Sequence, residues 1–441
     1  MTYLIHPRKL LRSVVLIGSA LCAIACHGLL DVTNPTLVQD NDVANAAGAN
    51  ARRLDAIYHF SYNFTQISKN VAYFTDEAVY DYYGPPDNLE DYYYLGFDLH
   101  DNTVLVNMFT KNNRDEQLAL LDDIFTASSL ALYSMREYGR DTLKDEYLAQ
   151  LFALRSFTLL EMAEDICSGF PINDITTDNR PLYSGPYTTD SATKYAVAQA
   201  DSALAHGRDT TRFINFARVV KGRALLNLGQ YAQAAAVVSA VPTEFTYTTD
   251  ASTGNRFADF PYDIGGVGDR EGGNGVPFVS ANDPRVLTSY LQMRVTVPED
   301  SLFNQLKYVD NTVPIVVASG VEARLIEAEA ALHEPNPTKA FAILDTLRAT
   351  VGLGAMTVPS TIDAQVDSLY KERAFWLYLT GRRLGDLRRL IRNYGRGAET
   401  VFPTGDYPLG GLRYGTATSI PFTVEVQGKN NPHITAGCTT P

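Results

Sequence analysis

The stretch LYKERAFWLYLTGRRLGDLRRLIR, Leu369 to Arg392, decides the fold. Leu369, Trp376, Leu384, Leu387 and Ile391 recur at spacings of seven, eight, three and four, which suits one face of a helical segment. Around that face sit Lys371, Glu372, Arg373, Arg382, Arg383, Asp386, Arg388 and Arg389. A continuous helix would let Arg382, four residues before Asp386, and Arg389, three after it, both reach the carboxylate. Gly381 and Gly385 argue against continuity, because each costs a helix about 1 kcal/mol relative to alanine. They mark a break, or a place where another backbone approaches closely. By itself the arginine-rich run reads as an anion site, a solvated face or a buried ion network.

The first 25 residues are not part of the fold. Arg8, Lys9 and Arg12 precede an apolar run from Val14 to Ala25, the pattern of an export signal. The run ends Ala23-Ile24-Ala25-Cys26, which resembles a bacterial lipoprotein cleavage site with Cys26 as the lipidated residue. Such a lipid anchors a protein to a membrane without making it integral. Residues 26–50 then read as a tether and entry segment, and 51–441 as a single domain. Removing the leader moves the formal charge from -13 to about -16, which argues against nonspecific nucleic-acid binding. An exported chain permits Cys167 and Cys438 to pair, though two cysteines make no framework by themselves. There is no CxxC, HExxH or compact cysteine–histidine array, so neither a metal nor another cofactor is expected.

Helical periodicity covers most of the domain. It is predicted for Ala51–Tyr73, Asp115–Met135, Thr142–Ala163, Asp190–Gly207, Phe213–Ala240, Pro314–Leu332, Pro337–Thr350 and Thr361–Tyr370. Arg155 lies on or beside an apolar helical face and is expected to pair with an acidic neighbour. Gly169 and Pro171 stop its helix. Ala224, Leu228, Gly229, Tyr231 and Ala235 have the small and apolar texture of a tetratricopeptide-like unit. Residues 241–319 are rich in Gly, Pro, Asp and Asn and read as a loop-rich excursion. The tail is expected to wrap the scaffold, with Ile420-Pro421-Phe422 closing a hydrophobic edge.

One segment has another character. Tyr73 to Phe97 holds nine aromatic residues broken by acidic side chains and a Gly84-Pro85-Pro86 turn, too irregular for a simple helix or alternating strand. Aromatic faces with nearby carboxylates and amides suit a sugar ring, which has one apolar face and a rim of hydroxyls. Tyr80, Tyr82, Tyr83, Tyr92 and Tyr93 are the candidate stacking groups, with Asp81 and Asn88 the main hydrogen-bonding candidates and Asp76 and Asp87 beside them. The competing reading is core and loop packing.

Several blocks together resemble the RagB/SusD family of outer-membrane nutrient-binding lipoproteins. They are Cys26, ALRSFTLLEMAEDICSGFPI at 153–172, SGVEARLIEAEAAL at 319–332, KERAFWLYLTGRRLGDLRRL at 371–390 and SIPFTVEVQGKNNP at 419–432. The resemblance implies a mainly α fold, with four tetratricopeptide-like helix pairs, long loops and minor β elements. It also implies a lipoprotein on the external face of the outer membrane. Its partner would be a SusC-like TonB-dependent transporter, to which it delivers an oligosaccharide or other small nutrient without catalysis. The alternatives are a structural transporter lid without ligand affinity and, less favoured, a glycoside hydrolase, for which no persuasive carboxylate pair stands out. In this context Glu372, Arg373, Arg382, Asp386, Arg388 and Arg389 are expected to form an internal polar frame, with Trp376 in the core.

Overall fold

The computed structural model describes residues 44–80, 89–140, 143–207, 212–250, 254–259, 265–269, 275–293, 301–407 and 412–438. The export signal, Cys26 and most of the tether lie outside these residues. Helices dominate: α1 (Ala46–Phe74), α2 (Leu89–Asp98), α3 (Asn102–Asn112), α4 (Glu116–Tyr138), α5 (Lys144–Asp165), α6 (Thr189–His206), α7 (Arg212–Asn227), α8 (Tyr231–Val238), α9 (Gly320–His333), α10 (Pro337–Ala349), α11 (Ile362–Trp376), α12 (Arg383–Tyr394), α13 (Ala398–Val401) and α14 (Val424–Gln427). The short strands are β1 (Ala78–Tyr80), β2 (Asp174–Ile175), β3 (Pro181–Leu182), β4 (Thr246–Thr248), β5 (Gly265–Val267), β6 (Thr288–Met293), β7 (Ser301–Gln305) and β8 (Val316–Ser319). They form antiparallel pairs only: β1 with β5, β2 with β3, β4 with β8 and β6 with β7.

The helices stack in series. α1 packs on α4, α4 on α5, α5 on α6 and α7, α7 on α8, α8 on α9, and α9 on α10 and α11. α12 then returns to lie against α5 and α1, which closes the array on itself. Local chemistry sets the ends. Asn45 accepts the Gly48 N–H at 3.0 Å to start α1, and Asn336 with Pro337 starts α10. α1 turns Phe60, Phe64, Ile67 and Val71 into the core, whereas Leu54 and Tyr58 lie on its solvent side. The rings of Phe60 and Phe64 meet Phe157 of α5 edge-on at 5.4 and 5.1 Å, a favoured aromatic geometry.

One open reading is settled and two expectations are corrected. Leu369–Arg392 is two helices, broken at Leu377–Arg382, where Leu379 (φ 51°) and Gly381 (φ 76°) take the left-handed region. Gly385 is where a neighbour approaches closely: a Cβ there would lie 2.8 Å from the Glu164 carboxyl carbon. Helix α9 starts at Gly320 rather than Pro314. The β-branched Val316 and Val317 pair as strand β8 against β4, and Ser319 caps the helix by accepting the Glu322 N–H at 3.1 Å. The aromatic segment 73–97 also has regular ends, strand β1 and helix α2.

The tail closes the lower edge. Ile420 and Phe422 are buried, Ile420 N–H donates to the Asp165 carbonyl at 2.8 Å, and Cys167 N–H donates to the Ile420 carbonyl at 3.1 Å. A disulfide joins Cys167 to Cys438, with Cα atoms 5.4 Å apart across a separation of 271 residues. Closing so long a loop restricts the unfolded chain. Non-reducing peptide mapping is expected to recover the Cys167–Cys438 pair, and replacing both cysteines by serine to lower unfolding stability by about 2–5 kcal/mol.

Candidate ligand-binding site

Arg373, Arg382, Arg383, Arg388 and Arg389 of the opening stretch are buried and hold the scaffold together, whereas Arg392 at its end is exposed. Arg373 forks onto Asp386 with both bonds at 2.8 Å, and Arg389 bonds Asp386 at 2.8 Å and Glu329 at 2.8 and 3.1 Å. Tyr370 adds its hydroxyl to Glu329 at 2.9 Å. Arg382 turns away from Asp386, the partner a continuous helix would have given it, and pairs with Glu161 of α5, as does Arg223 of α7. The helix break redirects it. Arg388 has another role: it donates to the carbonyls of Ala163, Glu164 and Ile166, the otherwise orphaned groups at the end of α5. Burial and then the nearby Arg392 push its guanidinium down to about 10. Glu372 receives Arg285 and Arg348. Trp376 is half-buried against the core beneath Arg285. Arg155 pairs with Asp174 at 3.2 Å.

This frame carries the candidate ligand segment. Asp76, just before β1, receives the Arg383 fork at 2.6 and 2.8 Å and accepts the Val276 N–H at 2.7 Å. It is buried, so it anchors the segment instead of reading sugar hydroxyls. Glu77 accepts the Leu379 N–H at 2.9 Å, its own carbonyl accepts the Gly268 N–H at 3.0 Å, and the Tyr308 hydroxyl donates to the Leu379 carbonyl at 2.9 Å. The left-handed turn between α11 and α12 is thus tied directly to the base of β1. Above it, Tyr80 N–H donates to Asp98 at the end of α2 at 2.8 Å, and the Tyr407 hydroxyl bridges Asp98 and the Tyr80 carbonyl. The Tyr80 end of the segment is therefore fixed to the far end of α2 through one buried carboxylate.

Tyr80 itself is 3% exposed, with its ring near Tyr73 and Tyr94 at 6.1 and 5.8 Å. It is a packing residue here, a correction to its expected stacking role, because the alternation of strand β1 turns it inward. Tyr73, Phe74 and Phe97 are likewise core. Asp81, Tyr82, Tyr83, Asp87 and Asn88 lie outside the described residues. Tyr92 and Tyr93 fall on the backbone of α2, with their side chains also outside the description. Sequence reasoning missed Asp98, Glu77 and Tyr407 as the clamp. Their signal is weak: an acidic pair closing a long apolar helix, and a lone Asp at the end of an aromatic run.

Among the described residues the carboxylates at this end are committed to arginine, backbone or tyrosine partners, an arrangement suited to presenting a fixed surface. No protein-family model matches the chain, and no curated protein matches it. Solved structures do. A SusD-like carbohydrate-binding protein from Bacteroides vulgatus is similar with a TM-score of 0.59 at 14% identity, covering 88% of this chain and 97% of its own. A SusD-like protein from Bacteroides fragilis gives 0.62 at 12%, covering 91% and 98%. A laminarin-binding SusD-like protein gives 0.59 at 15%, covering 88% and 98%. The chain thus has the mainly α-helical SusD-like fold with minor β elements.

Two stability measurements probe the mount. Burial would raise the Asp386 carboxyl, but Arg373 and Arg389 outweigh it and hold it at about 2, below its ordinary 3.8. Its contribution is present above pH 3.8 and lost as pH falls through about 2. Asp386→Asn is expected to cost about 3–5 kcal/mol at neutral pH by stranding buried guanidinium charge, and to flatten the acid limb of stability in urea melts. Burial pushes Glu77 the other way, from 4.5 up to about 8. The unfolded chain ionises from pH 4.5 upward while the folded one resists, so stability falls between 4.5 and about 8. Glu77→Gln is expected to match wild type at pH 4.5 and exceed it above pH 8. Burial also lowers Lys307 from 10.5 to about 8, and its titration acts above that window.

Proposed function

We propose that this protein captures a glycan or related nutrient at the outer-membrane surface and delivers it, without catalysis, to a SusC-like TonB-dependent transporter. The observation that carries this reading is the fold shared over 91% of the chain and 98% of a SusD-like protein. The carbohydrate-binding and laminarin-binding descriptions of similar proteins support a saccharide as the nutrient class. The serial helices supply the scaffold, organised as four tetratricopeptide-like pairs. Cys26 carries the lipid, the residues between it and the cap of α1 at Asn45 span to the scaffold, and the loops form the outward face.

Ligand contact is assigned to the segment that follows the clamp at Tyr80 and runs into α2. Tyr82, Tyr83, Tyr92 and Tyr93 stack on sugar rings, while Asp81 and Asn88 read hydroxyls. A rigid mount lowers the ordering cost of such contacts on binding. Tyr82→Ala/Tyr83→Ala is expected to weaken binding of a panel-identified oligosaccharide by about tenfold or more in titration calorimetry, taking aromatic stacking as worth roughly 1–3 kcal/mol per ring by analogy with base stacking. Unchanged affinity would remove the assignment of this segment. Stable transporter association with no affinity for any glycan would identify a structural lid.

A further inference from the structure

A cleft of about 400 Å³ lies beside the anchor of the candidate segment, between α11, α12, α13 and the turn at Gly275–Pro277. That volume falls within the roughly 300–1,000 Å³ range of small-molecule sites. Its floor is apolar and buried: Leu387, Leu390 and Val401. Tyr370 also lines it, with its hydroxyl committed to Glu329. The rim is polar, with Thr400 exposed on one side and Asp367 on the other.

The charge of the cleft runs against that of the chain. On a protein of formal charge -13, its lining holds three cations, Lys371, Arg383 and Arg396, against one carboxylate, Asp367. Two of the cations are committed. Arg383 is forked onto Asp76, and Arg396 pairs with Asp367 at 2.9 Å and Asp363 at 3.5 Å. Lys371 is exposed and has no carboxylate partner among the described residues. An unpaired ammonium above an apolar floor fits a ring that carries one negative charge. The cleft also shares its wall with the anchor of the candidate segment, since Asp76 binds both Arg383 and the Val276 N–H, and both residues line it.

We propose that this cleft is a second saccharide subsite selective for an acidic sugar, with the sugar carboxylate on Lys371 and the pyranose face over Leu387, Leu390 and Val401. The inference rests on the glycan-capture reading and adds to it a ligand class and a second set of contacts. Charge-assisted hydrogen bonds are short and directional, so a single carboxylate suffices to orient the ring. The contact is near the surface, so its strength falls with added salt.

The probes are tri-galacturonic acid and its methyl ester, titrated into the mature wild-type protein and its variants. Wild type is expected to bind the acid on the order of tenfold more tightly than the neutral ester, with the advantage shrinking as salt rises. Lys371→Ala removes that advantage and Lys371→Arg keeps it. Thr400→Trp, which fills the cleft from its exposed rim, removes acid binding while circular dichroism and thermal melting remain those of wild type. Equal affinity for acid and ester, no binding of the acid, or an acid preference that survives Lys371→Ala overturns the proposal. A neutral oligosaccharide bound through Tyr82 and Tyr83 without acid preference overturns this subsite and leaves the capture function standing. If no saccharide binds, both fail.

Discussion

Six of the seven buried arginines among the described residues constrain this molecule: Arg223, Arg373, Arg382, Arg383, Arg388 and Arg389. A guanidinium keeps its charge at any ordinary pH, so burying one requires partners in fixed places. The partners come from distant parts of the chain: Asp76 after α1, Glu161 on α5, Glu329 on α9, and the carbonyls ending α5. A packing that slides α12 by one turn would strand several charges together. Pairs of this kind add little net stability over an apolar core. Here they penalise every arrangement in which α1, α5, α9 and α12 do not converge, and so fix the relative placement of helices that hydrophobic contact alone leaves adjustable.

The base of the candidate ligand segment belongs to this network. Asp76 and Glu77 are neighbours in sequence yet serve different partners, Arg383 of α12 and the Leu379 amide in the preceding turn. That turn is left-handed at Leu379, a conformation that costs a non-glycine residue energy. The Leu379 N–H donates to Glu77 and the Tyr308 hydroxyl donates to the Leu379 carbonyl, which holds the residue there. The outer segment can therefore vary in sequence while its mount stays in place.

Much of the scaffold was legible in the sequence because helices advertise themselves through periodicity. Pro337, Gly169 and the small residues around Ala224 mark real ends and contacts. The burial of Arg373, Asp386 and Arg389 was one of three readings the charged run left open, and the resemblance to the RagB/SusD family favoured it. What the sequence concealed was pairing across long separations: Arg382 with Glu161 is separated by 221 residues, and Arg383 with Asp76 by 307. Local spacing suggested Arg382 with Asp386 instead, and the kink at Gly381 overrode it. Strand β8 was hidden for a related reason. A short run of valines before a helix has no period of its own, and its partner β4 lies some 70 residues earlier. The aromatic segment was the hardest to read, because Tyr73, Tyr80 and Tyr94 serve the core while their neighbours carry the same chemistry.

The Cys167–Cys438 bond makes most of the domain one covalent ring. It encloses α6 through α14 and the whole excursion at 241–319, a sequence rich in Gly, Pro, Asp and Asn of the kind proteases nick. A single cut within residues 168–437 therefore releases nothing. The two pieces stay joined by the disulfide and by the arginine frame, and the separated ends remain within reach of their partners. The chain can in this way be nicked and still keep its shape.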